Sequence, residues 1–438
     1  MRVAIDTHGC RLNRSESDAL AEALQRRGHS VVDDPRQAEV YVLNTCTVTH
    51  AADADARRAV RRARRDNPSL RIVLTGCHVD ADPARAAALP GVDAVLGNAD
   101  KAELPAALSR LGPREGPPLV SVTALTRRIP FTPLVPAVAP RRSRALLKVQ
   151  DGCNYRCAFC IVPTVRGPSR SLSIEEVVAQ ARRMVEAGVP ELVLTGVHLG
   201  TYGRDLRPRR RLVDLVAALV PVLGAARLRL SSVDPQEVDD ELLLLIGAHS
   251  GSICRHLHLP VQAGDDAVLR RMRRGHTVET FGHVVRRAAQ LVPGIAIGSD
   301  VIVGFPGEDG PAFDRTASLL RELPLAYLHV FPFSARRGTA AALMPDQVAP
   351  PERSRRGAEL RALSQQMVAA RHQAAAGSMA DVVVHRGAGR DGRFEALSDD
   401  FLRVRLAAGG EALAGQRIRV QLGPRGVEAR PADDGQRP

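Results

Sequence analysis

The sequence predicts an α/β protein with three parts: an N-terminal α/β domain over residues 1–111, a partial (β/α)6 barrel over residues 145–371 and a small β-barrel over residues 377–430. Short apolar runs alternate with segments of helical periodicity in the first two parts, which is typical of parallel sheets. In the third part short strands are separated by Gly-rich turns, which indicates a small barrel. The length of 438 residues also favours two or three domains over a single core.

The N-terminal domain is predicted to bring three cysteines together. Apolar runs at residues 2–5, 40–44 and 71–75 are predicted strands, with helical patterns such as 15–27 and 51–65 between them. A cysteine follows each run within a few residues: Cys10, Cys46 and Cys77. Because ligands bind outside the carboxyl ends of parallel strands, we expect the three thiols to converge on one point.

Seven prolines lie in residues 112–144 and predict an extended linker. Six βα repeats then predict the partial barrel, whose chemistry is expected at the C-terminal ends of its strands. The six candidate strands are 146–150, 191–195, 227–231, 256–259, 295–304 and 327–331. Four more candidate strands form the C-terminal barrel: 380–385, 394–397, 401–406 and 416–422.

The charge balance is strongly basic. The formal net charge is +13 and the isoelectric point is about 10.3, which favours a polyanionic partner such as nucleic acid. The alternative is a compositional bias, since the only lysines are Lys101 and Lys148 and the remaining positive charge is arginine. Aromatic residues make up 3% of the chain and Trp is absent, so we expect no broad stacking platform for single-stranded nucleic acid.

We expect a cytoplasmic protein with no membrane segment. The N-terminus has no basic region followed by an apolar run, and the longest apolar stretch, 212–226, is interrupted by Asp214 and Pro221. Seven cysteines in such a chain are not a disulfide framework and indicate metal binding or catalysis.

Cys153, Cys157 and Cys160 form a C-x3-C-x2-C motif directly after a candidate strand. Three close thiolates can ligate three irons of a [4Fe–4S] cluster and leave the fourth iron open. The alternative is a zinc site, but structural zinc favours four ligands, usually in two C-x2-C pairs. The motif therefore favours an iron–sulfur cluster with an open coordination site.

At this motif the sequence resembles the radical S-adenosylmethionine (SAM) enzymes, in which an aromatic residue, here Phe159, precedes the last cysteine. The resemblance implies that Cys153, Cys157 and Cys160 are catalytic and that the open iron binds SAM, next to Phe159. It also implies that reductive cleavage of SAM yields a radical. In such enzymes the protein supplies ligation and orientation, and the cofactor carries the chemistry.

Further motifs are similar to those of the methylthiotransferases. They include Thr7-His-Gly-Cys10-Arg-Leu-Asn13, Asn44-Thr-Cys46-Thr-Val, Thr75-Gly-Cys77, Asp151-Gly-Cys153 and segments 161–167, 194–203, 230–235, 258–262, 300–308 and 329–334. This resemblance implies a second, auxiliary [4Fe–4S] cluster on Cys10, Cys46 and Cys77 that carries the delivered sulfur. It also implies that the C-terminal barrel is a TRAM domain, which binds RNA. Thr164 and Ala263 depart from the residues usual in relatives, and neither is a presumed cluster ligand.

The cysteine motifs most resemble the branch that acts on N6-threonylcarbamoyladenosine next to the anticodon of tRNA. The alternatives are the branches that act on N6-isopentenyladenosine in tRNA or on an aspartate of ribosomal protein S12. A reading from another class is an iron–sulfur RNA-binding or redox-sensing protein without turnover. A sensor, however, has no need of six βα units and a second cluster domain.

Polar and glycine residues at predicted strand ends are candidates for SAM binding. Gly196 is expected to let the backbone approach the methionine amino group. Ser231, Ser232 and Asp234 are candidates for ribose or carboxylate contact, or alternatively caps of the next helix. Asp300 is a candidate for the adenine side, and the alternative is a strand end followed by a tight turn. Cys254 is expected to be a small buried apolar residue.

Arginines at three places are candidates for RNA binding, against the alternative of solvated surface. They are Arg57, Arg58 and Arg61 on a predicted helix, Arg204 and Arg207 after a glycine loop, and Arg403 and Arg405 in the last barrel. Residues 377–438 contain ten Arg and nine Asp or Glu, so RNA binding there needs a local patch.

The resemblance also implies partners. We expect tRNA as the substrate and an external electron donor such as flavodoxin or ferredoxin. The sulfur donor is unknown, and we expect a monomer.

Overall fold

The computed structural model describes residues 1–111, 116–126, 134, 142–389, 391–406 and 410–432. Contacts divide the chain into two compact units. Residues 1–137, 150–171 and 334–342 form the first unit, and residues 138–149, 172–333 and 343–438 form the second.

The first unit contains a parallel sheet with helices on both faces. Its strands are β1 Arg2–Thr7, β2 Ser30–Val32, β3 Val40–Thr45, β4 Arg71–Gly76, β5 Ala94–Leu96 and β6 Leu119–Ser121, in the order β2-β1-β3-β4-β5-β6. Its helices are α1 Arg11–Arg26, α2 His50–Asp66, α3 Cys77–Ala81, α4 Pro83–Ala87 and α5 Leu104–Leu108. Strand β3 is buried throughout because Tyr41 and Leu43 pack with α2, whereas Val40 and Val42 pack with α1.

Strand β6 lies inside the segment predicted to be a linker. Leu119–Ser121 pairs in parallel with β5, and it forms one edge of the sheet. Proline is tolerated at sheet edges because an edge strand has unpaired N–H positions, so a Pro-rich composition does not exclude such a strand. Residues 112–115, 127–133 and 135–141 of the predicted linker lie outside the described residues.

The strands between residues 145 and 332 are β7 Ala145–Lys148, β8 Gln150–Asp151, β9 Arg170–Ser171, β10 Glu191–Thr195, β11 Arg227–Leu230, β12 His256–His258, β13 Ala296–Val303 and β14 Tyr327–Pro332. β8 and β9 form a two-stranded antiparallel sheet and belong to the first unit. The other six form parallel sheets β7-β10-β11 and β12-β13-β14, joined by a bridge between Ser232 and His258. Successive strands are therefore neighbours, as in an open (β/α)6 barrel, and this prediction is confirmed.

Helices follow these strands in the predicted alternation. They are α6 Val162–Arg166, α7 Ile174–Glu186, α8 Leu212–Leu219, α9 Asp240–Ala248, α10 Asp266–Arg271, α11 Val278–Leu291, α12 Gly310–Glu322 and α13 Pro350–Ala374. Helix α7 begins with a capping box of Ser173 and Glu176, which satisfies N–H groups at the helix start. None of the helices in the described part of the chain has both the length and the apolar character needed to cross a membrane.

The C-terminal strands close into a small barrel, as predicted. They are β15 Met379–Val384, β16 Glu395–Ser398, β17 Arg403–Leu406, β18 Arg417–Leu422 and β19 Glu428–Pro431, in the order β15-β16-β17-β19-β18. β19 was not predicted, and it closes the barrel by pairing with β17 and β18. Alternate residues such as Val382, Val404 and Val420 fill the interior.

Two buried arginines attach this barrel to the parallel strands of the same unit. Arg227 Nη2 donates to the Leu397 carbonyl and Arg229 Nη2 to the Ser398 carbonyl, each at 2.8 Å. Both arginines also pair with Glu191 at 2.8 Å. Because an unpaired buried charge is costly, Glu191 makes the burial of both arginines possible.

Candidate functional site

Cys10, Cys46 and Cys77 lie at the carboxyl edge of the first unit's sheet. Cys10 follows β1 as the N-cap of α1, Cys46 follows β3, and Cys77 follows β4 as the first residue of α3. β1, β3 and β4 are adjacent, so their ends meet. The packing is tight there: a Cβ on Gly9, which has φ of +93°, would lie 2.5 Å from Cβ of Cys46.

Asn13 of the Cys10-x2-Asn13 motif holds two of these loops together. Its Nδ2 donates to the carbonyls of His8 and Thr45, both at 2.9 Å, which fixes the backbone next to Cys10 and Cys46. Asn44 Nδ2 in turn donates to the Asn13 carbonyl at 2.8 Å. Asn13 and Asn44, one from each motif, therefore hold the backbone in place beside the thiols.

The chemistry of the three thiols fits a metal cluster. Burial, together with the neighbouring thiols of Cys77 and Cys10, raises the pKa of Cys46 to about 11, although backbone N–H groups of the following residues oppose the shift. Burial also raises the pKa of Cys77. Thiols with such pKa values stay protonated at neutral pH unless a metal stabilises the thiolate.

A buried charged network lies against Cys77. Glu16 on α1 accepts from Arg166 Nη1 at 2.5 Å and also from Lys101 Nζ. Arg166 donates to Asn13 Oδ1 at 2.5 Å, and both cations favour the thiolate of Cys77. Sequence reasoning missed this network, although polar Asn13 and Glu16 on the buried face of an amphipathic helix were a usable signal.

Cys153, Cys157 and Cys160 also lie in the first unit, on the loop between β8 and α6. All three are partly accessible, whereas Cys254 is buried as expected. The Cys153 N–H donates to the Gly167 carbonyl at 3.0 Å. Gly152 has φ of +71°, and a Cβ there would lie 2.1 Å from the Pro168 carbonyl oxygen, so the loop requires glycine.

Other bonds hold the segments that flank the two motifs. Asn98 Nδ2 donates to the Val165 carbonyl at 2.9 Å and lies 3.9 Å from Sγ of Cys77. The Ala341 N–H donates to the Ala158 carbonyl at 2.8 Å, within the C-x3-C-x2-C loop. Phe159 of this loop is half-buried. The first unit thus contains all six motif cysteines and the contacts that fix their loops.

The predicted SAM-contacting residues other than Phe159 lie in the second unit. Gly196 follows β10 directly, and Ser231 follows β11. Ser231 is buried, and its Oγ has no hydrogen-bond partner among the described residues. Such a hydroxyl can receive a polar ligand group. Ser232, beside it, is exposed.

Asp234 is part of a polar cluster at the end of β11. It accepts from Arg274 Nη2 at 2.6 Å and lies 3.5 Å from Nε2 of His198. His198 Nε2 is also 2.8 Å from Glu237, whose side chain is almost completely buried. The structure therefore brings Ser231 and Asp234 to one strand end, with His198 and Glu237 as partners that the sequence did not reveal.

Asp300 lies beside two histidines. It lies within β13, as in the predicted strand 295–304, and it accepts from His258 Nε2 at 2.8 Å and from His329 Nδ1 at 3.1 Å. Burial alone would raise the pKa of Asp300, but these two imidazoles lower it overall, so Asp300 is ionised. Neither histidine was singled out from the sequence, because their pairing depends on strand register.

The candidate RNA-binding arginines are mostly exposed. Arg57 on α2 is half-buried, and the exposed ones are Arg58, Arg61, Arg204, Arg207, Arg403 and Arg405. Three of them have acidic neighbours: Arg58 pairs with Asp55, Arg204 lies 3.3 Å from Glu237, and Arg405 lies 3.7 Å from Asp391. On β17 the exposed Arg403 and Arg405 alternate with buried residues, so both lie on the outer face of the barrel.

Two protein families match the chain. Residues 2–97 match Uncharacterized protein family UPF0004, and residues 147–320 match the Radical SAM superfamily. Among solved structures, the radical SAM methyltransferase TsrM from Kitasatospora setae, with tryptophan substrate and SAM analogue bound, aligns with a TM-score of 0.55 over 75% of this chain and 72% of its own. At 16% identity this likeness shows the fold alone.

Similar sequences cover the chain more completely. Threonylcarbamoyladenosine tRNA methylthiotransferase MtaB of Bacillus subtilis (strain 168) is 37% identical over 96% of this chain and 93% of its own length. The protein of the same name from Rickettsia prowazekii (strain Madrid E) is 39% identical over 79% of each chain. The tRNA-2-methylthio-N(6)-dimethylallyladenosine synthase of Moorella thermoacetica is 31% identical over 95% of each chain. The chain therefore belongs to the radical SAM methylthiotransferase family, in the branch that contains the MtaB proteins.

Proposed function

We propose that this protein transfers a methylthio group to C2 of N6-threonylcarbamoyladenosine next to the anticodon of tRNA. The observation that carries the proposal is the similarity to proteins named for that substrate, at 36–39% identity over 78–96% of this chain. Relatives named for the dimethylallyladenosine substrate match at 30–33% identity, which makes that substrate the second candidate. Methylthiolation of ribosomal protein S12 and a sensor without turnover are less well supported.

SAM and [4Fe–4S] clusters are the cofactors of this family. We assign an auxiliary cluster to Cys10, Cys46 and Cys77, and a SAM-binding cluster to Cys153, Cys157 and Cys160. When bound, these groups supply one-electron chemistry that can break an aromatic C–H bond, which ordinary acid–base catalysis cannot do. The raised pKa values of Cys46 and Cys77 support the first assignment, since buried thiols of that kind need a metal to ionise.

The remaining assignments concern residues that bind SAM, residues that hold the cysteine loops in place and residues that contact RNA. The unsatisfied hydroxyl of Ser231 is the group we assign to SAM, together with Asp234 and the glycine turn at Gly196. Asn13 and Arg166 fix the loops that carry the thiols. The exposed Arg403 and Arg405 on the outer face of the C-terminal barrel are proposed to contact RNA phosphates.

We propose that the protein acts in the cytoplasm, because that is where its tRNA substrate is found. Reduction of the clusters requires an electron donor, and we propose flavodoxin or ferredoxin. We propose that the enzyme acts as a monomer, because all six motif cysteines lie in one compact unit of the chain.

A direct test uses purified, anaerobically reconstituted protein with SAM and a reductant. Three substrates are compared: an anticodon stem-loop with N6-threonylcarbamoyladenosine, one with N6-isopentenyladenosine, and ribosomal protein S12. Mass spectrometry is expected to show methylthiolation of the first substrate only. Modification of the second or third instead would move the enzyme to another branch, and absence of 5′-deoxyadenosine with every substrate would favour a sensor.

A further inference from the structure

The sheet formed by β12, β13 and β14 has two contrasting faces. Register places Gly298 opposite Tyr327, Asp300 opposite His329, and Ile302 opposite Phe331 on one face. The other face carries buried apolar residues such as Val301 and Leu328. On the polar and aromatic face, the ring of Phe401 stacks with Tyr327 and His256 and also lies under the guanidinium of Arg229 on β11, with Cζ 5.4 Å from the ring centroid. Because residues of both parallel sheets meet at this ring, the polar and aromatic face is the inner face of the half-barrel.

Exposure on this inner face increases along β14. Tyr327 is 8% exposed because the rings of Phe401 and His256 pack around it. The side chain of His329 is 50% exposed, and Phe331 is 46% exposed. The inner face is thus closed at the start of β14 and open towards its carboxyl end, where barrel enzymes bind substrates.

Phe331 is the one aromatic side chain that is exposed among the described residues. A single exposed apolar residue is ordinary on a protein surface. This one differs because it lies on the inner face of a barrel strand, two residues from an imidazole held in a fixed orientation. The centroids of the two rings are 6.4 Å apart.

His329 is oriented by Asp300. The carboxylate accepts from both His258 and His329, and His258 Nδ1 lies 3.0 Å from the Tyr327 hydroxyl. Because Nδ1 of His329 donates to Asp300, its Nε2 is left at the exposed edge of the ring for another partner. The three groups could also surround an ion, but hydrogen bonding between the same atoms already accounts for their approach.

We infer that Phe331 and His329 bind the adenine ring of the RNA substrate, with Phe331 stacking on the face of the ring and His329 hydrogen-bonding to its edge. The inference rests on the proposed function, which supplies an adenosine as the target. Enzymes that modify a base inside RNA take it out of its stack and hold it by aromatic stacking and edge hydrogen bonds. In a chain with 3% aromatic residues, the inner face of β14 presents both kinds of group together.

Binding of two stem-loops tests this inference. One carries N6-threonylcarbamoyladenosine at the target position, and the other is abasic there. In Phe331→Ala, affinity for the first is expected to fall roughly ten- to hundredfold, whereas affinity for the abasic loop stays the same. Phe331→Tyr is expected to restore tight binding, and Val368→Ala, which trims an exposed residue of α13, serves as the matched control.

Three outcomes would overturn the inference. Equal losses on both loops would indicate a backbone contact or a folding defect, and no loss on either would remove Phe331 from the site. A fall in SAM affinity in Phe331→Ala, measured without RNA, would assign the ring to the adenine of SAM. If the wild-type protein methylthiolates the intact loop while Phe331→Ala binds it normally, the inference fails and the proposed function stands. If the wild-type protein does not modify that loop, the proposed function itself fails.

Discussion

Glu16 on α1 and Arg166 at the end of α6 form a buried ion pair, with Oε1 and Nη1 2.5 Å apart. Each side chain belongs to a different cysteine motif: Glu16 follows Cys10, and Arg166 follows Cys160. The pair therefore holds the two motifs together within the first unit. It also places a positive charge beside Cys77, where the thiolate form is otherwise disfavoured by burial.

Arg166→Met tests this pair. The substitution leaves the carboxylates of Glu16 and Asp151 buried without their guanidinium partner, so the free energy of unfolding should fall by about 3–5 kcal/mol. Urea unfolding of the anaerobic protein measures the change. Arg62→Met breaks an exposed pair with Asp66 and should cost under about 1 kcal/mol. Equal effects of the two substitutions would show that the buried pair is not important for stability.

Removal of individual cysteines separates the two assigned clusters. Cys46→Ala should lower iron content by about half and abolish methylthiolation, while SAM cleavage to 5′-deoxyadenosine continues. Cys157→Ala should lower iron to a similar extent and abolish SAM cleavage. Cys254→Ala is the matched control and should keep all the iron, because Cys254 is a buried residue of the second unit and belongs to neither motif. A Cys46→Ala protein that still makes methylthiolated product contradicts the auxiliary role.

The buried carboxyl group of Asp80 is expected to make the free energy of unfolding depend on pH. Burial raises its pKa to about 6, although the Asn98 N–H donates to it at 2.8 Å and opposes the shift. The folded pKa lies above the unfolded value, so the native state loses stability as pH rises from about 4 to about 6. Asp80→Asn cannot ionise and should be more stable than the wild-type protein by about 1–3 kcal/mol above pH 6.

Unfolding of Asp80→Asn and the wild-type protein is therefore compared at pH 4.5–5 and at pH 7.5. The stabilising difference should be small at the lower pH and reach its plateau at the higher. A difference of constant size across this range would mean that Asp80 does not titrate there.

The exposed arginines of β17 are expected to contribute to tRNA binding in a way that weakens as the salt concentration rises. Replacing both Arg403 and Arg405 with Ala should weaken tRNA binding and reduce the slope of log Kd against log salt by about 2, one for each lost phosphate contact. Fluorescence anisotropy over a salt series measures both quantities. Substitution of Arg182 and Arg183, exposed on α7, should leave the slope unchanged. An unchanged slope in the β17 variant would remove this face from the RNA-binding surface.

Periodic features of this protein could be predicted from its sequence. Alternation of apolar runs and amphipathic helices gave the parallel strands, because a strand buried on both faces must be continuously apolar, as β3 is. The cysteines were found because their spacing and their positions after strands are local properties. The three-residue strands β2, β5 and β6 were missed because so short a run carries no period.

Long-range pairings could not be predicted from the sequence. Glu16 and Arg166 are 150 positions apart, and only the folded chain brings them together. This ion pair is one of the contacts between residues 150–171 and the N-terminal sheet, and those residues belong to the first unit. Their position in the sequence had predicted that they belong to the barrel domain. The contact of Asp300 with His258 and His329 likewise depends on strand register, which no local pattern fixes.

The most direct test of the central claim is mass spectrometry of nucleosides from bulk tRNA, comparing the native host with a strain that lacks this gene. The proposed function predicts that 2-methylthio-N6-threonylcarbamoyladenosine disappears and that its unthiolated precursor accumulates. Unchanged tRNA methylthiolation in the deletion strain would contradict the tRNA substrate, and ribosomal protein S12 would then be the next substrate to examine.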